Sequence, residues 1–418
     1  MRKNILLFII TCLAFSTGAF AQKFRTGAFS NQVKTLQVYA KNDPLSTPII
    51  ELGNDSWITI SFDVLNPEPQ VYTYTLTHCN ADWTPSQLVQ SEYMTGFQNR
   101  LINDYAVSFN TTMNYVNYRL TFPNDDVSLK VSGNYLVQVF PQNSDNPVLQ
   151  ACFSIVESAG GATVSMQATS QTDKGMNNFY QQVNFTVGYG NEVKMPMQDL
   201  KIYVRQNNRI DNETAALKPL MVQNNRLVFE HNPALIFEAG NEYRSFEMLT
   251  YRYAGLNIDA VEFHAPYYHS ILRPDIIRSQ RPYTFMDDIN GRFTVRTLSG
   301  DDYSTEADYQ IVHFYLRCEK PFAEKVYILS ETFNNILDER SQMDYSVQDG
   351  GYVKLAVLKE GYYNYLYVTQ KNAQTPASPA AIEGNFFQTE NEYRVMVYFR
   401  PMGGRYDRLI GVQTIQFK

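Results

Sequence analysis

The sequence predicts an all-β protein made of tandem β-sandwich domains of the immunoglobulin or fibronectin-like kind. Three observations carry that expectation. Apolar and polar residues alternate with period two from end to end, as strands with one buried face require. Turn residues punctuate the chain every ten residues or so, the spacing of sandwich strands. The 30 Tyr and 26 Phe bring aromatic content to 14% while charged residues reach only 18%, a composition suited to pleated surfaces.

Taken in order, Ile58, Ile60, Phe62 and Val64 form one face opposite Thr59, Ser61 and Asp63. Tyr72, Tyr74, Leu76 and His78 share a face, and Val116, Tyr118, Leu120 and Phe122 repeat the pattern. Tyr135, Val137 and Val139 follow, then Val183, Phe185 and Val187, then Leu200, Ile202 and Val204. Residues 326–329, 352–358 and 393–399 continue the series, and Ile415 and Phe417 face away from Thr414 and Gln416. Turns are signalled at 66–69, 123–126, 133–134, 349–351 and 359–361. The one helix in prospect is short, at 86–93, with Pro85 at its start. A small-residue stretch at 158–162 ends the first unit, residues 273–282 read as a linker, and 373–381 as a loop within the last unit. The simplest tiling is therefore 22–158, 159–280 and 281–418. The alternating runs are too short, and too often interrupted by Pro and charge, for an outer-membrane barrel.

The N-terminus sets the compartment. Arg2 and Lys3 precede an apolar run at 5–15, and Ala19-Phe20-Ala21 is a cleavage signal before Gln22. This is the layout of a secretory signal peptide over 1–21, cut between Ala21 and Gln22. Cys12 lies inside the apolar run, away from the position a lipid anchor needs. With 35 basic and 42 acidic residues and no basic block, nucleic acid and anionic lipid are poor partners. No later segment is long and apolar enough for a membrane helix. Cys79, Cys152 and Cys318 survive processing. Two readings stand for them: a Cys79–Cys152 disulfide if their strands are neighbours, or three buried free thiols.

Signatures of catalysis are absent: no G-x-S-x-G, no phosphate loop, no dinucleotide fingerprint, no H-E-x-x-H and no C-x-x-C. His264 and His269, with Asp259 and Glu262 upstream, are the best metal constellation, but their spacing matches no standard site. Asp287-Asp288, Asp301-Asp302 and the pair Glu390 and Glu392 invite a glycosidase reading, yet acids beside Asn or Gly are ordinary turn chemistry. Tyr363, Tyr365 and Tyr367 share one strand face, as in a carbohydrate platform, or else pack a core. The sequence thus predicts no enzyme, no cofactor and no metal, and a protein that works by binding. A glycan-binding sandwich protein is the alternative to the reading below.

Two stretches are more particular. One is His78-Cys79-Asn80-Ala81-Asp82-Trp83, followed by Glu92-Tyr93-Met94-Thr95-Gly96-Phe97, Asp104-Tyr105, Ser108-Phe109-Asn110-Thr111-Thr112, Tyr118-Arg119-Leu120-Thr121-Phe122-Pro123-Asn124 and Ser132-Gly133-Asn134-Tyr135. The other is Ile382-Glu383-Gly384-Asn385-Phe386-Phe387 with Thr389-Glu390-Asn391-Glu392-Tyr393, Val397-Tyr398-Phe399-Arg400-Pro401 and Arg405-Tyr406-Asp407-Arg408-Leu409-Ile410-Gly411. Arg273-Pro274-Asp275 and Ser279-Gln280-Arg281-Pro282-Tyr283 lie between them. Together these resemble the type IX secretion system plug protein family over nearly the whole mature chain. Asn80 departs from the pattern, standing where an acidic residue is expected.

The resemblance implies a periplasmic protein, associated with the outer membrane only through its partner. That partner is the giant outer-membrane translocon barrel of the type IX system, whose periplasmic mouth the plug occludes when idle. Most motif residues are expected to hold the fold, with Trp83 as a core anchor. Arg400, Arg405, Asp407 and Arg408 form either an interior salt-bridge set or a docking edge. Tyr406, Arg408 and Arg405 are the candidate partner contacts, since Tyr and Arg are enriched at interface hot spots.

Overall fold

The protein, seen here as a computed structural model, is described over residues 24–158, 161–175 and 178–418. The signal peptide expected over 1–21, with its Ala21–Gln22 cleavage point, lies outside the described residues. Open, mainly antiparallel sheets, packed in pairs, make up almost the whole molecule, as the alternation predicts.

In the first sandwich one sheet runs Gly27–Ala28, Leu149–Val156, Gly133–Pro141, Tyr72–Cys79, Arg100–Leu101, with Ile49–Glu51 parallel to Leu149–Val156. The facing sheet runs Val33–Ala40, Ile58–Val64, Val116–Phe122, Tyr105–Val107. Ile58, Ile60, Phe62 and Val64 meet Tyr72, Tyr74 and Leu76 in one core, where Phe62, Tyr72 and Tyr118 pack ring on ring. The predicted helix is reduced to one turn, Gln90–Tyr93. Pro85 instead bridges to Cys79 and the Ser86 N–H donates to His78 O, which keeps the chain before the turn extended.

Beyond residue 158 the serial tiling fails. The sheet of Thr163–Thr169, Tyr180–Gly188, Arg226–Phe229 and Met221–Gln223 faces a second sheet of Leu200–Gln206, Asn391–Phe399 and Arg408–Phe417. Val204, Phe229 and Phe237 therefore share a core with Tyr393, Val397 and Ile410. The third sandwich is inserted into the second. Its sheets are Ile258–His264, Tyr267–Leu272, Tyr309–Arg317, Gly351–Lys359, Asp344–Ser346 and, facing them, Arg244–Met248, Gly361–Gln370, Phe293–Val295 with Lys325–Leu329. Residues 273–282 are not a linker: Asp275–Ile276 pairs in parallel with Tyr309–Arg317 inside this unit. The crossing points are residues 239–243 and 383–390. A strand's pattern shows that it needs a partner, and says nothing of whether that partner is 20 or 200 residues away.

Cys79 and Cys152 sit on strands that both flank Gly133–Pro141, with Asn134 and Leu136 between them. Two interstrand spacings, about 9–10 Å, exceed what a disulfide spans. All three described cysteines are free and buried, and burial pushes the Cys79 thiol up to about 12. Thiol titration of the folded mature chain should therefore find the three unreactive, and all three should react in denaturant. A single reactive thiol in denaturant would contradict this arrangement.

Candidate functional site

The two long motifs converge where the first sandwich meets the second. The turn after Tyr72–Cys79 closes through Trp83 N–H to Asn80 O (3.0 Å) and Asn80 N–H to Thr84 O (2.8 Å). It presents Asn80 and Ala81 to the C-terminal hairpin. Fully buried Asp407 accepts from Ala81 N–H (3.0 Å), Lys201 Nζ (2.9 Å) and Arg400 Nε (2.7 Å). The other arm of Arg400 donates to Asn80 Oδ1 (2.6 Å), while Asn80 Nδ2 donates to Thr84 Oγ1 and Pro85 O. An amide suffices at position 80 because Asp407 already neutralises Arg400, and a carboxylate would lose both donated bonds. Asn134 completes the joint, donating to Asn80 O (3.0 Å) and accepting from Tyr398 OH (2.9 Å) and Ser154 Oγ (2.7 Å). Ala81 packs with Met396, Tyr398 and Leu409 beneath it. Trp83 is only partly buried, against Cys79, Leu136 and Cys152, so it flanks this joint rather than anchoring a main core.

The three candidate contacts are engaged within the chain. Tyr406 stacks edge-on against His78 with centroids 5.3 Å apart. Arg408 pairs with Glu157 (2.6 Å) and Glu192 (3.2 Å), its guanidinium over the Phe399 ring. Arg405, the most exposed of the three, pairs with Glu92. These contacts hold the two sandwiches to one another.

His78 is the titratable group at this joint. Its Nε2 lies 3.1 Å from Ser132 O, and Gly133, at φ +129°, leaves no room for a Cβ, which would sit 2.5 Å from that nitrogen. Burial depresses its pKa to about 4, against the smaller opposing pull of Ser132 O and Asp407. As pH falls from about 6.5 to about 4 the unfolded chain takes up this proton first, so stability held above pH 6.5 is lost by about 3 kcal/mol. Glu242 and Glu360, pushed up to about 7 by burial, act in the opposite direction over the same range. The effect is therefore read as a difference: the pH profile of the wild type minus that of His78→Gln should slope upward with pH between 4 and 6.5. A flat difference would place a charged imidazole at this joint.

A second polar joint gathers the remaining motif residues. Fully buried Glu383 receives Arg244 through Nε and a terminal nitrogen (2.9 Å each), Arg278 Nε (2.7 Å) and the Tyr367 N–H (2.9 Å). Asp275 accepts from Arg244 (2.6 Å), Tyr365 OH and Tyr367 OH (2.8 Å each). Burial pushes the Glu383 carboxyl up, but Arg244 and Arg278 together outweigh it and hold it below the usual range. Tyr363, Tyr365 and Tyr367 are thus core residues, and the strand presents no carbohydrate platform.

The other chemistry-bearing residues are brought together only in part. His269 Nδ1 lies 2.7 Å from His313 Nε2, and the His264 ring sits tilted against His269, 4.8 Å between centroids, while pairing with Glu262. Among the described residues no set of three metal-ligating side chains is arranged to hold an ion. Asp302 caps the turn Tyr303–Glu306, and Glu392 is bound by Arg292 and Arg394. Asp288 accepts two backbone N–H groups and is pushed up to about 6 by burial.

Residues 33–157, which make up nearly all of the first sandwich, match the family described as "Type 9 secretion system plug protein 1st domain". The first sandwich is thus a plug protein first domain of the type IX secretion system family. It is also similar to a hypothetical protein from Parabacteroides merdae known from a 2.30 Å crystal structure: 44% identity, 95% of this chain and 100% of that chain covered, and a TM-score of 0.92. No curated protein matches the chain. Plug-family membership implies a partner in the secretion system, and no helix among the described residues is long and apolar enough to cross a membrane.

Proposed function

We propose that this chain is a periplasmic plug subunit of the type IX secretion system, which binds the giant outer-membrane translocon barrel and seals its periplasmic opening when idle. It works by binding, without catalysis. The observation that carries this reading is the match of the first sandwich to the plug-protein first domain.

Mechanics support it. A barrel wide enough for folded cargo needs a stopper that does not deform, and the insertion of one sandwich into another supplies that. The second sandwich cannot form until the chain has passed through the third, and buried ion pairs such as Lys359–Asp63 and Arg292–Glu392 tie the units together. Such a body moves as a block. Its release then needs only a difference in affinity between barrel states.

Deleting the protein should make the outer membrane permeable to large antibiotics that the intact envelope excludes, with barrel levels unchanged. Wild-type exclusion in the deletion strain would contradict the sealing role.

A further inference from the structure

Between the first and third sandwiches lies an open cleft of about 510 Å³, a size typical of small-ligand sites. Its floor is the outer face of the Val33–Ala40 sheet, and its roof is the segment 294–304. Arg119 and Glu247 line it with Arg296 and Asp301. Among the described residues none of these four side chains makes an ion pair or hydrogen bond, with one another or with anything else. Lys359 reaches the same cleft but is held by Asp63 (2.7 Å) and Ser304 O (2.8 Å). Thr294 also lines the cleft, with its hydroxyl turned into the protein.

We infer that this cleft binds a short neutral saccharide of one or two sugar units. Two guanidinium groups offer only donors and two carboxylates only acceptors, and their charges cancel. An anion would meet Glu247 and Asp301, and a cation would meet Arg119 and Arg296. A sugar hydroxyl both donates and accepts, so vicinal hydroxyls satisfy all four groups together. Tyr39 lies close to both Arg119 and Tyr303, and the exposed Tyr303 ring supplies a flat apolar wall against which a pyranose face packs. This site is separate from the joints described above and does not depend on the plug reading.

The test is saturation-transfer NMR on the full mature chain with N,N′-diacetylchitobiose, cellobiose and maltose as probes and citrate as an anionic control. At least one disaccharide should show transfer, with an affinity near the millimolar range. Preference for diacetylchitobiose would point to a cell-wall source, and preference for the unacetylated sugars to another glycan. Arg119→Ala should weaken binding about tenfold, the loss of one charge-assisted contact. Leu298→Trp, made at an exposed rim position, should block the cleft, and it decides the matter if Arg119→Ala fails to fold. Transfer from none of the three sugars, binding of citrate alone, or sugar binding untouched by Leu298→Trp would each overturn the inference.

Discussion

Glu383→Ala should destabilise the chain by about 3–5 kcal/mol, the usual penalty for leaving a buried charge without its partner. The variant strands two guanidinium groups at once. Arg244 retains only Asp275 as a carboxylate partner, Arg278 retains the Glu242 carbonyl, and the Tyr367 N–H loses its acceptor. Glu383 itself is fully buried, so solvent replaces little of what is lost there. Chemical denaturation of the two proteins side by side measures the difference, and a shift below about 1 kcal/mol would show that this joint is incidental to stability.

Lys359→Met should have a comparable effect at neutral pH, about 3 kcal/mol, because Asp63 then faces the interior with only the Tyr309 hydroxyl and Asn117 amide as donors. Chemical denaturation of the variant beside the wild type at pH 7 measures the loss. Adding Asp63→Asn to the variant should recover part of the neutral-pH loss, since the amide keeps an acceptor for Tyr309. No loss in the single variant, or a loss with no recovery in the double variant, would contradict the role given to the ion pair.

These two joints also mark where the sequence was legible and where it was not. The alternation of Ile58, Ile60, Phe62 and Val64 located a core face, and all four are buried as expected. The same pattern placed Asp63 on a wet face, yet the third sandwich covers that face and pairs Asp63 with a lysine 296 residues away. Periodicity reports the polarity of a face; it does not report what will cover it. For the same reason the linker expected at 273–282 proved to hold a paired strand at Asp275–Ile276, and the second sandwich is closed by residues from the far end of the chain.

The candidate site was legible only through particular residues. Asn80, Gly133, Asn134, Arg400 and Asp407 stand far apart in the motifs that carried the family resemblance, and the fold assembles them at one joint. Arg244 and Arg278 at the Glu383 joint, and Lys359 beside Asp63, lay outside what composition and spacing pick out, because a lone cation reads as solvated until its buried carboxylate is seen. Tyr406 and Arg408 were singled out by residue type alone, and each has an intramolecular partner that type could not reveal.

The proposed plug function stands on stable binding to the translocon barrel. Affinity purification of the tagged protein from detergent-solubilised envelopes, with partners identified by mass spectrometry, tests it directly. The account predicts a very large outer-membrane barrel recovered in near-equal amount. Recovery of the protein alone, under conditions that keep the barrel intact, would contradict it.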